Sequence, residues 1–300
     1  MNRWIRRTAL ALAGIAAFGA AGLAAGAWLG ERKLQRHVDV PARDVALPAD
    51  GVALDRGRYL FESRGCTECH GADGAGHVVI DDGGFYVKAP NITSAPGSVV
   101  ARYTTADWVR TIRHGVKPDG HPLIVMPSDD YAGLTDADAG ALVAYVRTLP
   151  PAPGEGAVIR IPPLVRALYA AGAIRDAAEK IDHTRAPAQA AAHDGSAQHG
   201  AYVAGMCQGC HGEHFSGGKI PGAPPAWPAA ANLTPGAGSA LAKYADERQF
   251  VAMLRSGKRP DGSAVSPVMP FPSLARIDDA DAAALYTYLR TLPPMEAGNR

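Results

Sequence analysis

No cysteine in this chain is spare. Its 300 residues include four, and all of them fall in two copies of one five-residue word, Cys66-Thr-Glu-Cys69-His70 and Cys207-Gln-Gly-Cys210-His211. An excess of charge is equally absent. The formal net charge is +1, with 30 Lys plus Arg against 29 Asp plus Glu, so no bulk attraction to nucleic acid is available. Counted by region the balance is −3 over residues 51–150 and +1 over 196–295, and neither stretch is a strongly charged docking face. No segment reads as a signalling domain, which leaves a tethered sensor without an output.

What stands in place of these features is a spacing with a specific chemistry. In Cys-x-x-Cys-His the two thiols form thioethers to the vinyl groups of a haem, and the adjacent histidine, on the same helical turn, ligates the iron. Two copies predict two covalently bound haem c groups with their iron. Cys66, Cys69, Cys207 and Cys210 are the expected attachment points, with His70 and His211 on the metal. Paired cysteines also build zinc ribbons, but there the pairs stand roughly 15 to 20 residues apart. Here the second word begins 137 residues after the first ends.

The likeness of the two halves extends beyond that word. Gly57-Arg-Tyr59 recurs as Gly200-Ala-Tyr202, Asn91-Ile-Thr93 as Asn232-Leu-Thr234, Pro118-Asp-Gly120 as Pro260-Asp-Gly262, and Met126-Pro127 as Met269-Pro270, at offsets of 141 to 143. Tyr145, Arg147 and Thr148-Leu-Pro150 return as Tyr288, Arg290 and Thr291-Leu-Pro293. A duplicated unit is expected at 51–150 and 196–295, joined by a partly helical connector over 151–195 and preceded by a signal-anchor helix and spacer over 1–50.

Each unit reads as mainly α. Leu142, Tyr145, Val146 and Leu149 fall at i, i+3, i+4 and i+7, one buried helix face, and Leu285, Tyr288, Leu289 and Leu292 repeat it. Thr135 with Asp138, and Asp278 in the second copy, supply N-caps, and Pro150 and Pro293 end these helices. An earlier helix carries Trp108, Val109 and Ile112 behind a Thr104/Asp107 cap, echoed by Phe250, Val251 and Leu254. The loops, such as Gly71–Gly76 and Pro221–Pro225, are too rich in Gly and Pro to bury much apolar area. A covalently held porphyrin would complete each core and belong to the folding unit.

The second axial position on each iron separates a carrier from a catalyst. Met126 and Met269 are the expected ligands, because each sits in a Met-Pro pair before the terminal helix at equivalent places. Met206 and Met253 have no partner in the other copy, and an unpaired Met is ordinarily core filler. His77, His114, His121 and His214 also lack counterparts and read as loop or surface residues. His37, His183, His193 and His199 receive no role. A His/Met pair closes the coordination sphere and raises the potential.

Arg3, Arg6 and Arg7 precede an uncharged run from Ala9 to Leu29 that Glu31, Arg32 and Lys33 terminate. As a helix this run is ~31 Å long, close to the hydrocarbon thickness of a bilayer. Ala25-Gly26-Ala27 has the form of a cleavage site, but the run exceeds the ~7 to 15 residues of a signal h-region. It therefore reads as a retained anchor, with a cleaved signal as the alternative. Gln35–Asp50 reads as a spacer holding the first unit off the membrane. In the connector a helix-like stretch from Leu164 to Ile181 is expected, with Leu164, Leu168, Ile174 and Ala178 on one face.

With these residues in view, the sequence resembles a tandem class I cytochrome c. It is most similar to the membrane-associated cytochrome c subunits of periplasmic alcohol, aldehyde or gluconate dehydrogenases. Gly57-Arg-Tyr-Leu60, Ala89-Pro-Asn-Ile-Thr93, Trp108, Val125-Met-Pro127 and Leu134-Thr-Asp136 carry the resemblance, together with Tyr145-Val-Arg-Thr-Leu-Pro-Pro151 and Ile161-Pro-Pro-Leu-Val-Arg166. The resemblance implies His/Met ligation by His70 with Met126 and by His211 with Met269. That family commonly carries three haems where this chain has two words. The implied function is electron transfer from a dehydrogenase or other donor to an oxidase or cytochrome acceptor, without catalysis, at the periplasmic face of a bacterial inner membrane. The alternative is a dihaem enzyme, peroxidase-like or thiosulfate-oxidising. Cysteine ligation of iron would need a fifth cysteine.

Overall fold

The computed structural model describes residues 3–189, 193–224 and 226–299. Pro225 of the second Pro/Gly loop and residues 190–192 of the alanine-rich linker lie outside that set. Helix α1, Arg3–Leu34, opens the chain. It is the one described helix long and apolar enough to cross a membrane, a test of length and composition that an N-terminal signal also passes. The expected spacer is laid against the first lobe, where Val38 N–H donates to Gly120 O at 2.9 Å and Ala106 N–H to Asp44 Oδ1 at 2.9 Å.

The first lobe begins with α2, Gly51–Ser63, whose N-cap Asp50 accepts from Ala53 N–H. A single-turn helix α3, Cys66–His70, carries the first haem word. Strands β1, Val78–Asp82, and β2, Phe85–Lys88, form a hairpin. Then come α4, Thr105–His114, with the Thr104/Asp107 capping box, and α5, Ser128–Tyr131, and α6, Asp136–Thr148, capped by Thr135. These caps occupy first-turn N–H groups that a helix cannot satisfy itself. In the connector, β3, Val158–Arg160, pairs antiparallel with β2 and ties this segment to the first lobe.

The helical stretch expected over Leu164–Ile181 is two helices, α7, Pro163–Ala170, and α8, Ala177–Lys180. A turn at Ala171 and Gly172 separates them, so the four residues placed on one face do not share one. Ala178 is buried, whereas Leu164 and Leu168 are exposed. The second lobe repeats the first as α9, Ala197–Ala204, α10, Gln208–His211, α11, Glu247–Ser256, α12, Phe271–Leu274, and α13, Asp279–Thr291.

Each lobe is built on its first and last long helices. α2 packs on α6, and α9 on α13. At the crossing stand Gly57 and Gly200, where a Cβ would lie 2.1 Å from Ala141 O and 1.9 Å from Ala284 O. Only glycine allows backbones this close, which is the physical content of the repeated glycine. The cores follow the periodicity. Leu60, Phe61, Trp108, Ile112, Leu142, Val146 and Leu149 are buried together in one lobe. Val203, Phe250, Leu254, Ile277, Leu285 and Leu289 are buried together in the other. Tyr145, Tyr288 and Leu292 are half-buried at the margins of these clusters.

The lobes meet through contacts that are the same in both directions. Tyr59 Oη donates to Asp281 Oδ2 at 2.6 Å and accepts from Asp278 N–H at 3.2 Å. Tyr202 Oη donates to Asp138 Oδ2 at 2.6 Å and accepts from Thr135 N–H at 3.3 Å. Each tyrosine of the repeat thus reaches the cap of the other lobe's terminal helix, a pseudo-two-fold arrangement. Arg64 adds a buried ion pair to Asp281 at 2.7 Å.

Candidate haem sites

In each haem word the cysteines lie three residues apart in helical backbone, Cys66 and Cys69 within α3, and Cys207 at the end of a 3-10 turn that runs straight into α10 with Cys210, a spacing that brings both thiols to one side. None of the four is in a disulfide. Burial pushes the thiols of Cys66 and Cys207 up to about 12 and raises that of Cys69 as well. These thiols are neutral, and the segments around them are partly enclosed.

The histidines are turned by the backbone. His70 Nδ1 lies 3.1 Å from Pro90 O, and His211 Nδ1 lies 2.8 Å from Ala231 O. A carbonyl only accepts, so Nδ1 carries the proton and Nε2 keeps its lone pair. This is the tautomer that an iron ligand requires, fixed by a neighbouring group as is usual at metal sites. Burial also lowers the pKa of His70, which favours the neutral ring.

Both carbonyls directly precede the repeated Asn-x-Thr sequence. Asn91 Oδ1 accepts from Thr93 N–H at 2.7 Å and Thr93 Oγ1 at 2.8 Å, while Asn91 Nδ2 donates to Ala152 O at 2.7 Å. Asn232 does the same with Thr234, at 2.9 and 2.8 Å, and with Met295 O at 2.8 Å. Both asparagines are buried. Each pins the carbonyl that orients the histidine to the chain leaving the terminal helix.

The two Met-Pro pairs share one conformation. Pro127 has φ −81° and ψ 61°, and Ser128 N–H donates to Met126 O at 2.9 Å. Pro270 has φ −78° and ψ 66°, and Phe271 N–H donates to Met269 O at 2.8 Å. Both are inverse γ-turns at the start of a short helix. Met126 and Cys66 pack against one core cluster, and Met269 and Cys207 against the other. Met253 is core filler, 5% exposed.

The unpaired histidines do other things. His77 and His214 are exposed, His121 faces Arg36 O at 3.3 Å, and His114 faces His183 across 3.0 Å. His199, given no role by its sequence, is buried against Asp281 at 2.7 Å. The residues around each site therefore fit a covalently attached haem. Sequence reasoning gave Pro90, Ala231 and Asp281 no role of their own and read Asp138 only as part of a helix cap, although the repeated asparagine and tyrosine were the markers of these partners.

The haem words also touch the opposite lobe. Gly209 N–H, inside the second word, donates to Asp130 Oδ1 at 2.9 Å, and Ser273 Oγ donates to Glu68 Oε1, inside the first word, at 2.7 Å. Asp130 and Ser273 lie on α5 and α12, the short helices that follow the two Met-Pro turns. Each haem word thus abuts the methionine side of the other lobe.

Comparison with known proteins gives two family models. One, described as cytochrome C oxidase, cbb3-type, subunit III, matches residues 52–146, and one described as cytochrome c matches residues 197–293. A fructose dehydrogenase cytochrome subunit from Gluconobacter japonicus is 29% identical over 84% of this chain and 55% of its own length. A nicotinate dehydrogenase subunit from Pseudomonas putida is 27% identical over 80% of this chain and 21% of its own length. The cytochrome c subunit of a quinone alcohol dehydrogenase from Gluconacetobacter polyoxogenes is 33% identical over 32% of this chain and 22% of its own length. The chain thus spans about half or less of the length of these relatives. Two consecutive matches, each containing one Cys-x-x-Cys-His word, identify this chain as a tandem of two cytochrome c domains with two covalently bound haem c groups.

Proposed function

We propose that the chain is a membrane-anchored dihaem electron carrier that accepts electrons from a dehydrogenase and passes them to a respiratory acceptor. Its domains are assigned to 51–150 and 196–295, with Cys66, Cys69, Cys207 and Cys210 as attachment points, and His70 with Met126 and His211 with Met269 as axial ligands. The carrying observation is the repetition of one arrangement in both lobes: a histidine oriented through Nδ1, and a Met-Pro inverse γ-turn against the same core cluster as the first cysteine. Bound haem c supplies a one-electron couple at each iron. The chain's residues hold, orient and partly bury it, and no side chain need take up or release a proton. The reciprocal contacts of Gly209 with Asp130 and of Glu68 with Ser273 support electron exchange between the lobes. The names of the relatives support a dehydrogenase as donor.

Retention of α1 is supported by its last turns, which are part of the folded structure. Lys33 Nζ donates to Tyr169 O at 2.9 Å and pairs with Glu179 at 2.9 Å, and Arg36, just past the helix end, pairs with Asp176 at 2.8 Å. A retained helix holds the haem lobes at the periplasmic face of the inner membrane.

Carbon monoxide tests the ligand assignment. The reduced, fully matured wild type is expected to bind it at neither iron. Met126→Ala and Met269→Ala are each expected to open one site, lower one potential and remove part of the long-wavelength sulfur-to-iron band. An unchanged spectrum in either variant would exclude that methionine. Rapid carbon monoxide binding by the wild type, with peroxide turnover, would favour a dihaem enzyme.

A further inference from the structure

Helix α7 is clamped to the end of α1. Gly30 is buried there, and a Cβ on it would lie 2.2 Å from Arg166 O, while one on Gly26 would lie 2.8 Å from Ala167 Cβ. Glu31 pairs with Arg166 at 3.3 Å, and Lys33 reaches the carbonyl of Tyr169, at the C-terminal end of α7. The contact falls within one turn of Leu29, where the apolar run of α1 ends. At that level α7 leaves Leu164 60% and Leu168 39% exposed. These residues are four apart and share a face. On α1 itself Trp28 and Leu29 are exposed, and the Arg32 guanidinium lies 5.0 Å from the Trp28 ring.

We propose that α7 is a second membrane contact, lying in the outer headgroup boundary with Leu164 and Leu168 in lipid. The inference rests on α1 being a retained anchor. If α1 spans, its apolar run ends at the edge of the hydrocarbon, and α7 is fixed at that depth by backbone packing. Interfacial helices insert an apolar face ~5–10 Å into this region, and tryptophan is enriched there. Continuity with the span selects lipid as the occupant. A single helix in a membrane is free to rotate about its axis and to tilt. A second element docked across its end fixes the orientation of the haem lobes above the surface.

The test uses the full, haem-loaded chain in lipid nanodiscs without any dehydrogenase. Its native cysteines are then taken up in thioethers, so Ile15→Cys, Leu164→Cys, Leu168→Cys and Arg248→Cys each accept one nitroxide label. Accessibility is measured to oxygen, which partitions into lipid, and to a water-soluble nickel chelate. Labels at 164 and 168 are expected to favour oxygen several-fold more than the label at 248, whose side chain is 92% exposed on the second lobe. A lipid reading at 15 with water readings at 164 and 168 would overturn the α7 contact and leave the anchor standing. Shielding of 164 and 168 from both reagents would indicate protein, not lipid, and would also overturn it. A water reading at 15 would remove the anchor and this inference together.

Discussion

Asp138 and Asp281 occupy the same place in the repeat, in the first turn of a terminal helix, yet their charges are balanced differently. Arg56, from the same lobe, makes two bonds of 2.9 Å to Asp138. Asp281 is fully buried and depends on Arg64 from the other lobe, on Tyr59, and on His199. Burial raises the pKa of Asp281, but Arg64 and the hydrogen bonds from Tyr59, Arg64 and His199 outweigh it and hold the carboxyl well below the usual range. A carboxyl depressed on folding contributes stability that is present above its unfolded value of about 3.9 and is lost as pH falls toward the folded one. Asp281→Asn leaves Arg64 buried without its counter-charge, and such losses cost about 3–5 kcal/mol. Denaturant unfolding at pH 7 should show a destabilisation of that order, narrowing below about pH 4. A cost under about 1 kcal/mol, the range of exposed pairs, would contradict the buried bridge.

At the scale of elements, the two helix crossings depend on glycine. Gly200→Ala must push α9 from α13, and overpacking of this kind costs roughly 1–3 kcal/mol. Gly133, with nothing within 4 Å of its would-be Cβ, provides the control. Thermal unfolding of the matured protein should show a lowered midpoint for Gly200→Ala and little change for Gly133→Ala; equal effects would refute the close approach. Helix positions and caps were legible in the sequence because they depend on neighbours three and four residues away, as Thr104 with Asp107 shows. The β1–β2 hairpin was missed, although Gly83-Gly84 between runs of β-branched and aromatic residues is a hairpin signal. Its third strand comes from the connector, about seventy residues on in sequence. The break between α7 and α8 was passed over because alanine on both sides of Gly172 reads as continuous helix.

For the whole molecule, the duplication was visible and its geometric use was not. Tyr59 and Tyr202 stood out as a repeated pair, but which carboxylate each would meet depends on how the lobes dock, and both partners lie in the opposite lobe. The same holds for Gly209 on Asp130 and Ser273 on Glu68. These contacts make one unit of two lobes and bring each haem word against the other lobe's methionine side. Haem binding itself was legible because Cys-x-x-Cys-His joins spacing to chemistry within one helical turn. The orienting carbonyls of Pro90 and Ala231 are each 20 residues from their histidine, and only the folded chain supplies them.

The most direct measurement is haem stoichiometry by pyridine haemochrome on protein made with a cytochrome c maturation system. Two haems c per chain are expected, both remaining with the polypeptide after acid extraction. A value near one, or colour that the extraction removes, would contradict a chain built around two thioether-linked haems.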